Sequence, residues 1–489
     1  MNLSQALKNE TNWKTTENGM DCHASTFSNL LDIFADVLSF RHKEEAEITQ
    51  KFNQAFNEEP LLAMKLLFYV RNVRGLGQGE KRFFNVVCKF LATQHTDVMR
   101  KNLELIPTFG RFDDLYAFVK TPLEDEAFII LKRYAFQDLN ETDDHKLSLV
   151  GKWLKSINAN SKETRYLAHL TANHFNMSYE QYRKMLSTLR KRIDVVERKL
   201  CSNSVHEINY ESVPSKAFAN YQEAFARKDK ERFEEFLNDV NNGTKEVKAG
   251  AIYPYDILGK MNLNVWGGIT LSNNPALEAQ WKALPNYVKG EHDALVVADT
   301  SGSMSGVPVC IALSLAVYLA ERNKGIWHNK FITFSESPKF IEMAGETLYQ
   351  KLNGVPSIVA NTDILKVFNL ILDAAVNNNL KPEEMVKKII IVSDMQFDEG
   401  VTLRKKTNFT EAMKEKFAEK GYELPELIYW NASPYYSSTY HALSHDKNVA
   451  LVSGASPSLY QQILEGKIKT PMETMLDTLN NSLFDSVTV

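Results

Sequence analysis

The stretch ALVVADTSGSMSGVPV, Ala294 to Val309, decides the fold of the second half of the chain. Its apolar first part predicts a buried strand that ends at Asp299. Ser301 and Ser303 follow at alternate positions, and a run of small residues leads into a predicted helix. Three oxygen-bearing side chains at the end of a buried strand are typical of a ligand-binding position.

Short β-rich runs alternate with helical stretches after about Trp281. The predicted strands are HDALVVADTS, NKFITFSE, KKIIIVSDMQF, ELIYWNAS and NVALVSG. They are apolar on both faces, which is typical of a doubly wound, mostly parallel α/β sheet. Such sheets bind ligands beyond the carboxyl ends of their strands, and Asp299 and Asp394 both lie at such an end.

Three predicted loops together present a candidate metal site. Its residues are Asp299, Ser301, Ser303, Thr362 in the loop VANTDIL, and Asp394 at the end of IIIVSD. Two carboxylates and three hydroxyls form an all-oxygen ligand set that suits a hard cation such as Mg²⁺ or Mn²⁺. The alternative is that these residues cap helices, but capping does not explain why they converge on one sheet edge.

The same loops lack the groups that an enzyme of this architecture needs. Ser301 stands two residues after Asp299, where a phosphoryl transferase of the haloacid dehalogenase type has a second acid. No histidine lies in these loops to act as a general base, and two-metal hydrolases need more carboxylates. GLGQG, Gly75 to Gly79, follows a predicted helix and lacks a subsequent GK[ST], so it is a weak nucleotide signature. We expect a binding protein without catalysis.

The first half is predicted to be helical from Thr26 to about Lys248. STFSNLLDIFADVLSF has the apolar spacing of an amphipathic helix, and Pro60 is placed to start the helix of PLLAMKLLFYVRNV. Other amphipathic segments follow, joined by short polar loops, without a segment of strand periodicity. This pattern is typical of stacked helical hairpins, as in repeat solenoids.

Composition sets limits on the class of protein. The 489 residues are 44% hydrophobic and 24% charged, as in soluble globular proteins, and the net charge of −4 predicts no partner by itself. Four distant cysteines show no CxxC spacing, which fits a reducing compartment. The N-terminus is polar, and the longest apolar run, VCIALSLAVYLA, is too short to span a bilayer. We expect a cytoplasmic protein without a membrane partner.

The second half resembles a von Willebrand factor A domain with a metal-ion-dependent adhesion site (MIDAS). The resemblance rests on DTSGSMSG, the threonine loop and the aspartate after IIIVS. It implies that Ser301, Ser303 and Thr362 bind the metal through hydroxyls, and that Asp299 and Asp394 act largely through waters or hydrogen bonds. It also implies one position open to an acidic oxygen of a partner.

The whole chain resembles the Ro ribonucleoprotein module, in which HEAT-like helical repeats (the TROVE module) form a ring closed by a von Willebrand A domain. LLFYVRNVRGLGQGEKRFFNVV and LIPTFGRFDDLYAF carry this resemblance. KWLKSINANS, YRKMLSTLRKRIDVVERKLCS, VPSKAFANYQEAFARKD, WKALP, SDMQFD and YWNAS resemble an uncharacterised Ro-like family of phages, bacteria and plants. The implied architecture is a helical repeat domain, ring or arc, over residues 1–285 and a von Willebrand A-like domain with C-terminal helices over 286–489.

In Ro-type proteins the ring binds single-stranded RNA ends in a basic hole and structured RNA on its outer face. Two basic turns and one basic helix of this sequence have charges that are compatible with RNA binding. The candidate RNA-binding residues are Arg71, Arg74, Lys81, Arg82, Lys184, Arg190, Lys191 and Arg192. Tyr166, Tyr179 and Tyr182 are candidates for base stacking. The alternative interpretation is that these cations form an ordinary solvated face, and Arg111, beside two aspartates, is interpreted as structural.

The sequence thus favours a Ro-like protein that binds structured or single-stranded non-coding RNA and carries a divalent metal site. The alternative function is a protein-binding or assembly module whose metal grips an acidic partner residue. A basic-lined hole wide enough for a single strand would favour RNA, whereas a neutral or closed centre would favour the alternative.

Overall fold

The computed structural model describes residues 3–202, 204–334, 337–356, 362–399, 409–435 and 438–489, with residues 4–6 described by their backbone alone. None of the helices within these ranges has the length and apolarity that crossing a membrane requires.

The part of the chain before the sheet is mainly helical, as its periodicity predicts. Its α-helices are α1 (Leu3–Thr11), α2 (Asn29–Phe34), α3 (Glu45–Glu58), α4 (Pro60–Arg71), α5 (Lys81–Gln94), α6 (Thr96–Asn102), α7 (Ile106–Phe109), α8 (Glu124–Asn140), α9 (Val150–Trp153), α10 (Lys162–His174), α11 (Tyr179–Arg192), α12 (Val196–Cys201), α13 (Ser215–Lys228), α14 (Lys230–Asn241), α15 (Pro254–Lys260) and α16 (Pro275–Lys282).

Local signals explain several of these boundaries. Pro60 occupies the first turn of α4 as predicted, because its missing N–H has no partner to lose there. The Ser28 hydroxyl caps α2 by accepting from the Leu31 N–H at 3.3 Å. The stretch STFSNLLDIFADVLSF is shorter in helix than its periodicity predicts, because α2 ends at Phe34 and a 3₁₀ helix covers Val37–Arg41.

A two-stranded hairpin precedes α2 and was not predicted. Strands β1 (Trp13–Thr15) and β2 (Asp21–His23) pair antiparallel, with Trp13 opposite His23. Three residues per strand are too few to show an alternating pattern. The turn of this hairpin contacts the backbone of Gln396 and Phe397, since the Thr16 hydroxyl and the Asn18 side chain donate to their carbonyls.

The second half contains a six-stranded mixed sheet. Its strands are β3 (Ala294–Asp299), β4 (Lys330–Phe334), β5 (Lys339–Glu342), β6 (Lys388–Ser393), β7 (Glu426–Asn431) and β8 (Val449–Ser453). The spatial order is β5-β4-β3-β6-β7-β8, with β5 antiparallel to β4 and the other neighbours parallel. The predicted doubly wound, mostly parallel sheet is therefore confirmed, and the edge strand β5 is the strand that the sequence prediction missed.

Helices cover this sheet and complete the hydrophobic core. They are α17 (Val307–Arg322), α18 (Leu348–Leu352), α19 (Ile364–Asn377), α20 (Phe409–Glu419), α21 (Tyr460–Ile463) and α22 (Pro471–Leu479). Strands β3 and β6 are buried along their whole length, which fits their continuous apolar sequences.

The helical half contacts the sheet half near both of its ends. Near the beginning, the Asn431 Nδ2 donates to Asp36 Oδ1 at 3.0 Å. Near the end, the Trp281 indole N–H donates to Glu321 Oε2 at 2.7 Å. One continuous apolar cluster runs from α2 through α17 to the C-terminal helices. The predicted domain boundary at 285/286 falls in the loop between α16 and β3 and stays a prediction.

Candidate metal site and nucleic-acid interface

The predicted metal residues come together at the carboxyl edge of the sheet. Asp299 ends β3 and Asp394 follows the neighbouring parallel strand β6. The Asp398 N–H donates to the Thr362 carbonyl at 2.9 Å, which brings the threonine loop against the loop after β6. Asp299, Thr362 and Asp394 are buried, and Ser303 is half-buried.

Hydrogen bonds orient the first carboxylate. The Ser393 hydroxyl donates to Asp299 Oδ2 at 2.5 Å, and the Ser301 N–H donates to Asp299 Oδ1 at 2.8 Å. The Ser301 and Ser303 hydroxyl oxygens lie 3.3 Å apart. Burial, together with the negative charge of the nearby Asp394, raises the pKa of Asp299 to about 7.

The Asp394 carboxylate has hydrogen-bond partners for only one of its two oxygens among the described residues. Asp394 Oδ1 accepts from the Gln396 N–H at 3.0 Å, but Oδ2 is buried without a hydrogen-bond partner in the described structure. Burial raises the pKa of Asp394, and the nearby Ser303 hydroxyl lowers this pKa. The Ser303 hydroxyl is nevertheless not in hydrogen-bond geometry with Asp394 Oδ2. An unpaired oxygen in a buried acidic pair is costly unless a cation neutralises it.

The residues present fit a hard divalent cation. Among the described residues, no group of three or more Asp, Glu, His or Cys side chains is placed to hold a metal. An ion here would therefore depend on Ser301, Ser303 and Thr362 as well as on the two aspartates, which is the all-oxygen set that Mg²⁺ accepts. The capping alternative lacks its main contact, since the Ser301 side chain makes no capping hydrogen bond to the 3₁₀ turn Gly302–Met304.

Two positioning residues of this site were missed in the sequence. Ser393 holds Asp299, and Gln396 holds Asp394. Between them Met395 adopts a left-handed backbone, φ 65°, and its carbonyl lies 3.0 Å from Nε2 of the buried His441. The signal for Ser393 was available, since it is the last residue of the strand, whereas His441 is distant in sequence.

A separate cavity of about 390 Å³ lies where the helical half meets the sheet half. Its walls come from segments far apart in the chain, from the turn after α4 to the loop after β8. The lining residues are Val73, Arg74, Gly75, Gly79, Pro107, Gly110, Arg111, Phe112, Leu149, Lys152, Trp153, Glu197, Pro214, Ser215, Lys216, Ala217, Asn220, Tyr221, Gly250, Ala251, Ile252, Tyr253, Leu284, Pro285, Tyr287, Ser456 and Pro457.

Positive charge dominates this cavity. Arg74, Arg111, Lys152 and Lys216 line it, and among the described lining residues the single carboxylate is that of Glu197. Lys216 lies 3.4 Å from Asp256, whereas the other three cations make no salt bridge within the described part of the chain. The cavity therefore has a net positive wall, although the whole chain is slightly acidic.

Aromatic rings accompany these cations. The Arg111 guanidinium lies 4.7 Å from the centre of the Trp153 ring, and Lys152 Nζ lies 5.9 Å from the same ring. Tyr221 donates its hydroxyl to Glu197 at 3.3 Å, which engages the one acid of the wall. Cations interleaved with aromatic rings are the features of surfaces that bind unpaired nucleic acid.

The predicted RNA-binding residues at the two basic turns differ in whether their side chains can reach RNA. Arg71 is a correction: its side chain is 1% exposed and pairs with buried Asp114 at 2.8 Å, so it cannot reach a phosphate. Arg74 is exposed and lines the cavity. Lys81 pairs with Asp113, and the half-buried Arg82 donates to the Phe40 carbonyl at 3.1 Å.

The basic residues of helix α11 also differ, because some are engaged in contacts within the protein and others are exposed. Arg190 donates to the carbonyls of Gly151 and Leu154 and to the Ser156 hydroxyl, at 2.7 to 3.0 Å. Arg192 is similarly engaged, by Asp144 and by the Asp138 and Glu141 carbonyls. These two arginines fasten α11 to the segment between α8 and α10, so we correct their predicted role to a structural one.

The remaining residues of this face are exposed. Lys191 has an exposed side chain, and Lys184 pairs with Glu180 one turn away at 2.8 Å, which is a weak surface pair. Tyr166 and Tyr179 are about half exposed, whereas the predicted stacking residue Tyr182 is buried and donates to the Lys155 carbonyl. Tyr182 therefore belongs to the core.

Sequence reasoning missed most of the cavity's cations. Lys152 and Lys216 stand in the quoted segments KWLK and VPSKAF, yet nothing in those segments shows that they face the same space. Arg111 was interpreted as structural because of its neighbours Asp113 and Asp114. In the structure Arg111 bonds to Asp114 through its backbone, since its N–H donates to Asp114 Oδ2 at 2.9 Å and its carbonyl accepts from the Asp114 N–H at 3.0 Å. Its guanidinium lies over the Trp153 ring at the cavity wall.

Family models match almost the whole chain. Residues 16–147 and 154–291 match the family described as "Domain of unknown function (DUF2828)", and residues 293–483 match "Domain of unknown function (DUF7788)". The first match covers more than half of the sequence, and the chain belongs to the DUF2828 family.

Two individual proteins show the range of similarity. An uncharacterised protein of Acanthamoeba polyphaga mimivirus is 26% identical over 518 residues, covering 97% of this chain and 89% of that protein. The crystal structure of the Deinococcus radiodurans RO (RSR) protein is similar with a TM-score of 0.48 and 14% sequence identity, over 93% of this chain and 99% of that one.

Proposed function

We propose that the protein binds RNA in the manner expected of a Ro-like protein, with a single-stranded segment held in the cavity between the two halves. The observation that carries this proposal is the wall of that cavity, where Arg74, Arg111, Lys152 and Lys216 face one acid. This basic centre is the feature that distinguishes the RNA interpretation from a scaffold with a neutral centre.

The dimensions and chemistry of the cavity agree with this ligand. Its volume of about 390 Å³ lies within the range of pockets that hold small ligands, so it accommodates a short unpaired segment rather than a duplex. The cations neutralise phosphates, and Trp153 and Tyr287 offer flat surfaces for bases. Structured RNA would contact the outer face of α11, where Lys184 and Lys191 are exposed.

The proposal includes a von Willebrand factor A-type domain with a MIDAS-type divalent cation. The strand order, with the antiparallel β5 at one edge, and the site at the ends of β3 and β6 support it. The cation would be Mg²⁺ or Mn²⁺, held by Asp299, Ser301, Ser303, Thr362 and Asp394. Its role is binding rather than catalysis, since no nucleophile and base pair lies among these residues.

A second candidate function rests on this metal site. Asp394 Oδ2 is buried and has no hydrogen-bond partner among the described residues, so the site has unmet capacity for a cation, and a bound cation would offer a position to an acidic partner residue. In that case the protein is an assembly module and the helical half is its scaffold. The two functions make different predictions for variants of the cavity.

The deciding experiment compares two double variants in binding to a labelled short single-stranded RNA. Lys152→Ala with Lys216→Ala removes two cavity cations, and Lys260→Ala with Lys289→Ala removes two exposed lysines outside the cavity. We expect only the cavity variant to lose affinity and to flatten the slope of log K against log salt, by about 0.7 for each phosphate that is no longer neutralised. Equal affinities and parallel slopes for both variants would contradict RNA binding in the cavity.

A further inference from the structure

Residues 196–247, here called the lid, form a helical unit with a separate apolar core. The lid contains α12, α13 and α14, and residue 203 is its one residue outside the described ranges. Its buried apolar side chains form one cluster with Ala276 and Ala279 of α16, except Ala219, which belongs to the main core. A unit that buries its apolar surface largely within itself can move without unpacking the rest of the protein.

Polar contacts also hold the lid together from within. The Tyr210 hydroxyl donates to Asp229 Oδ2 at 2.7 Å, and the Arg232 guanidinium donates to the Ile208 carbonyl at 2.6 Å. Within the described part of the chain, by contrast, no hydrogen bond or ion pair joins the lid to residues 3–193. Polar contacts between these residues therefore do not fix the lid to the helices that precede it.

Helix α16 connects the lid to the rest of the molecule. While its two alanines pack on the lid, Trp281 of the same helix belongs to the main core. The buried Gln280 lies between these contacts in the sequence, and its Nε2 donates to the Ser215 and Lys248 carbonyls at 3.0 and 3.2 Å. Because Ser215 begins α13 and Lys248 directly follows the lid, α16 holds the lid at its base.

Two short chain segments, residues 193–195 and 248–251, lead into and out of the lid. In the first, Asp194 has a left-handed backbone, φ 48°, and its carboxylate accepts from Lys199 Nζ at 2.7 Å. In the second, Gly250 is exposed, with open space where a side chain would begin. A few loop residues of this kind are enough to absorb the backbone rotation of a hinge.

The lid forms one wall of the cavity to which we assign RNA. On this wall lie Glu197, Lys216, Asn220 and Tyr221. A second wall belongs to the helices before the lid and to their loops, and it carries Arg74, Arg111, Lys152 and Trp153. Since no polar contact between described residues ties these two walls together, a ligand that binds both would supply that connection.

We propose that the lid rocks on α16 to open the cavity from the side, and that a bound RNA strand closes it by pairing with Lys216 on the lid and with Arg111 and Lys152 on the second wall. This inference rests on the RNA-binding function proposed above. Because a strand that enters from the side does not have to be threaded, the cavity accepts an internal unpaired segment, and a free RNA end is not required.

The proposal couples the position of the lid to RNA affinity. If RNA binds only the closed protein, RNA at about 100 times its Kd favours the closed form about hundredfold. Conversely, a variant with a looser lid binds RNA more weakly, in proportion to the fraction of closed protein. Lid position and RNA affinity are therefore two separate measurements of one equilibrium.

The first measurement is the distance between the lid and α8, by single-molecule energy transfer on the full chain. Gln137→Cys in α8 and Lys230→Cys in α14 place dyes at exposed positions, after Cys201→Ser removes the one exposed cysteine. A short oligouridylate at about 100 times its Kd should convert a broad distribution into a narrow one with higher transfer efficiency. Dyes on Gln137→Cys and Lys89→Cys, which both lie before the lid, are the control and should show no change.

The second measurement compares linear and covalently circular oligouridylates of equal length. Both should bind the wild type with equal affinity, because the circle enters through the side opening. If only the linear RNA binds, or if RNA binds without a change in the lid distance, the lid proposal is overturned and RNA binding in the cavity stands. If neither RNA binds, both proposals fail.

The third measurement uses Gln280→Ala, which loosens the lid on α16 and leaves the cavity wall unchanged, because Gln280 does not line the cavity. It should broaden the energy-transfer distribution of the free protein and weaken RNA binding about threefold. Gln462→Ala is the control, since it removes a hydrogen bond to Thr478 in the C-terminal helices, outside the cavity. Wild-type affinity together with a wild-type distribution in Gln280→Ala would contradict the proposed hinge.

Discussion

The Arg111 guanidinium lies over the Trp153 ring, with 4.7 Å between its central carbon and the ring centre, at the wall of the cavity. Burial lowers the pKa of Arg111, and the neighbouring Arg71 lowers it further. Because an arginine remains protonated under these conditions, the pair presents a fixed cation beside an aromatic ring, and the guanidinium makes no carboxylate salt bridge within the described ranges. This combination is suited to a phosphate with its attached base.

Arg111→Gln should weaken binding of single-stranded RNA about tenfold and reduce the salt slope by about 0.7, because one phosphate is no longer neutralised by the protein. Arg227→Gln is the matched control, since Arg227 is exposed on α13 outside the cavity. Fluorescence anisotropy at several salt concentrations measures both quantities. If Arg111→Gln binds as tightly as Arg227→Gln, the cavity wall does not contact RNA.

Arg190→Ala should destabilise the fold by about 1 to 3 kcal/mol, because it removes three hydrogen bonds that join α11 to the segment after α8. Lys191→Ala, on the exposed face next to it, should change stability by less than about 0.5 kcal/mol. Urea denaturation of both variants tests this contrast. Equal midpoints would show that the Arg190 contacts contribute little.

The parallel sheet, and the position of Asp299 and Asp394 at its carboxyl edge, could be predicted from the sequence for a physical reason. A parallel strand buried on both faces is written as a continuous apolar run, and β3 and β6 end at the predicted aspartates. Since parallel strands place their carboxyl ends together, Asp299 and Asp394 could be assigned to one place without coordinates. The short β1, β2 and β5 carry too few residues for such a pattern.

The cavity and the role of each cation could not be predicted in this way. Arg190 and Lys191 are adjacent in the sequence, yet one is bonded to three groups and the other is exposed. Charge in a helix does not reveal which carbonyls a long side chain reaches. Lys152 and Lys216 lie in the same wall only because distant helices pack together, and that information is tertiary.

His441 should make the protein less stable in mild acid. Burial lowers the pKa of His441 from its usual 6.5 to about 4, so the unfolded chain takes up a proton that the folded chain does not. Its contribution to stability is therefore fully present above pH 6.5 and is lost as the pH falls from 6.5 towards 4, by up to about 3 kcal/mol. His441→Gln keeps a donor for the Met395 carbonyl and removes the titration.

The measurement is the free energy of unfolding of both proteins between pH 4 and 7. Buried acids such as Asp36, whose pKa is raised to about 6, titrate in the same window with the opposite sign, but they are common to both proteins. The wild type should lose stability relative to His441→Gln as the pH falls. Parallel pH profiles would mean that His441 does not titrate as its burial requires.

Ser301→Ala with Ser303→Ala should abolish Mg²⁺ binding while the fold survives. The two hydroxyls lie 3.3 Å apart at the loop after β3, and removing both leaves two buried aspartates with Thr362 as the one remaining neutral ligand of the proposed set. Ser305→Ala is the control within the same loop, because Ser305 is exposed and its hydroxyl bonds only to the Gly302 carbonyl among the described contacts. If Mg²⁺ binds the folded protein, a concentration of about 100 times its Kd should stabilise the wild type and Ser305→Ala by about 2.7 kcal/mol. The double variant should unfold at the same midpoint with and without Mg²⁺. Equal stabilisation of all three proteins would place the cation elsewhere in the molecule.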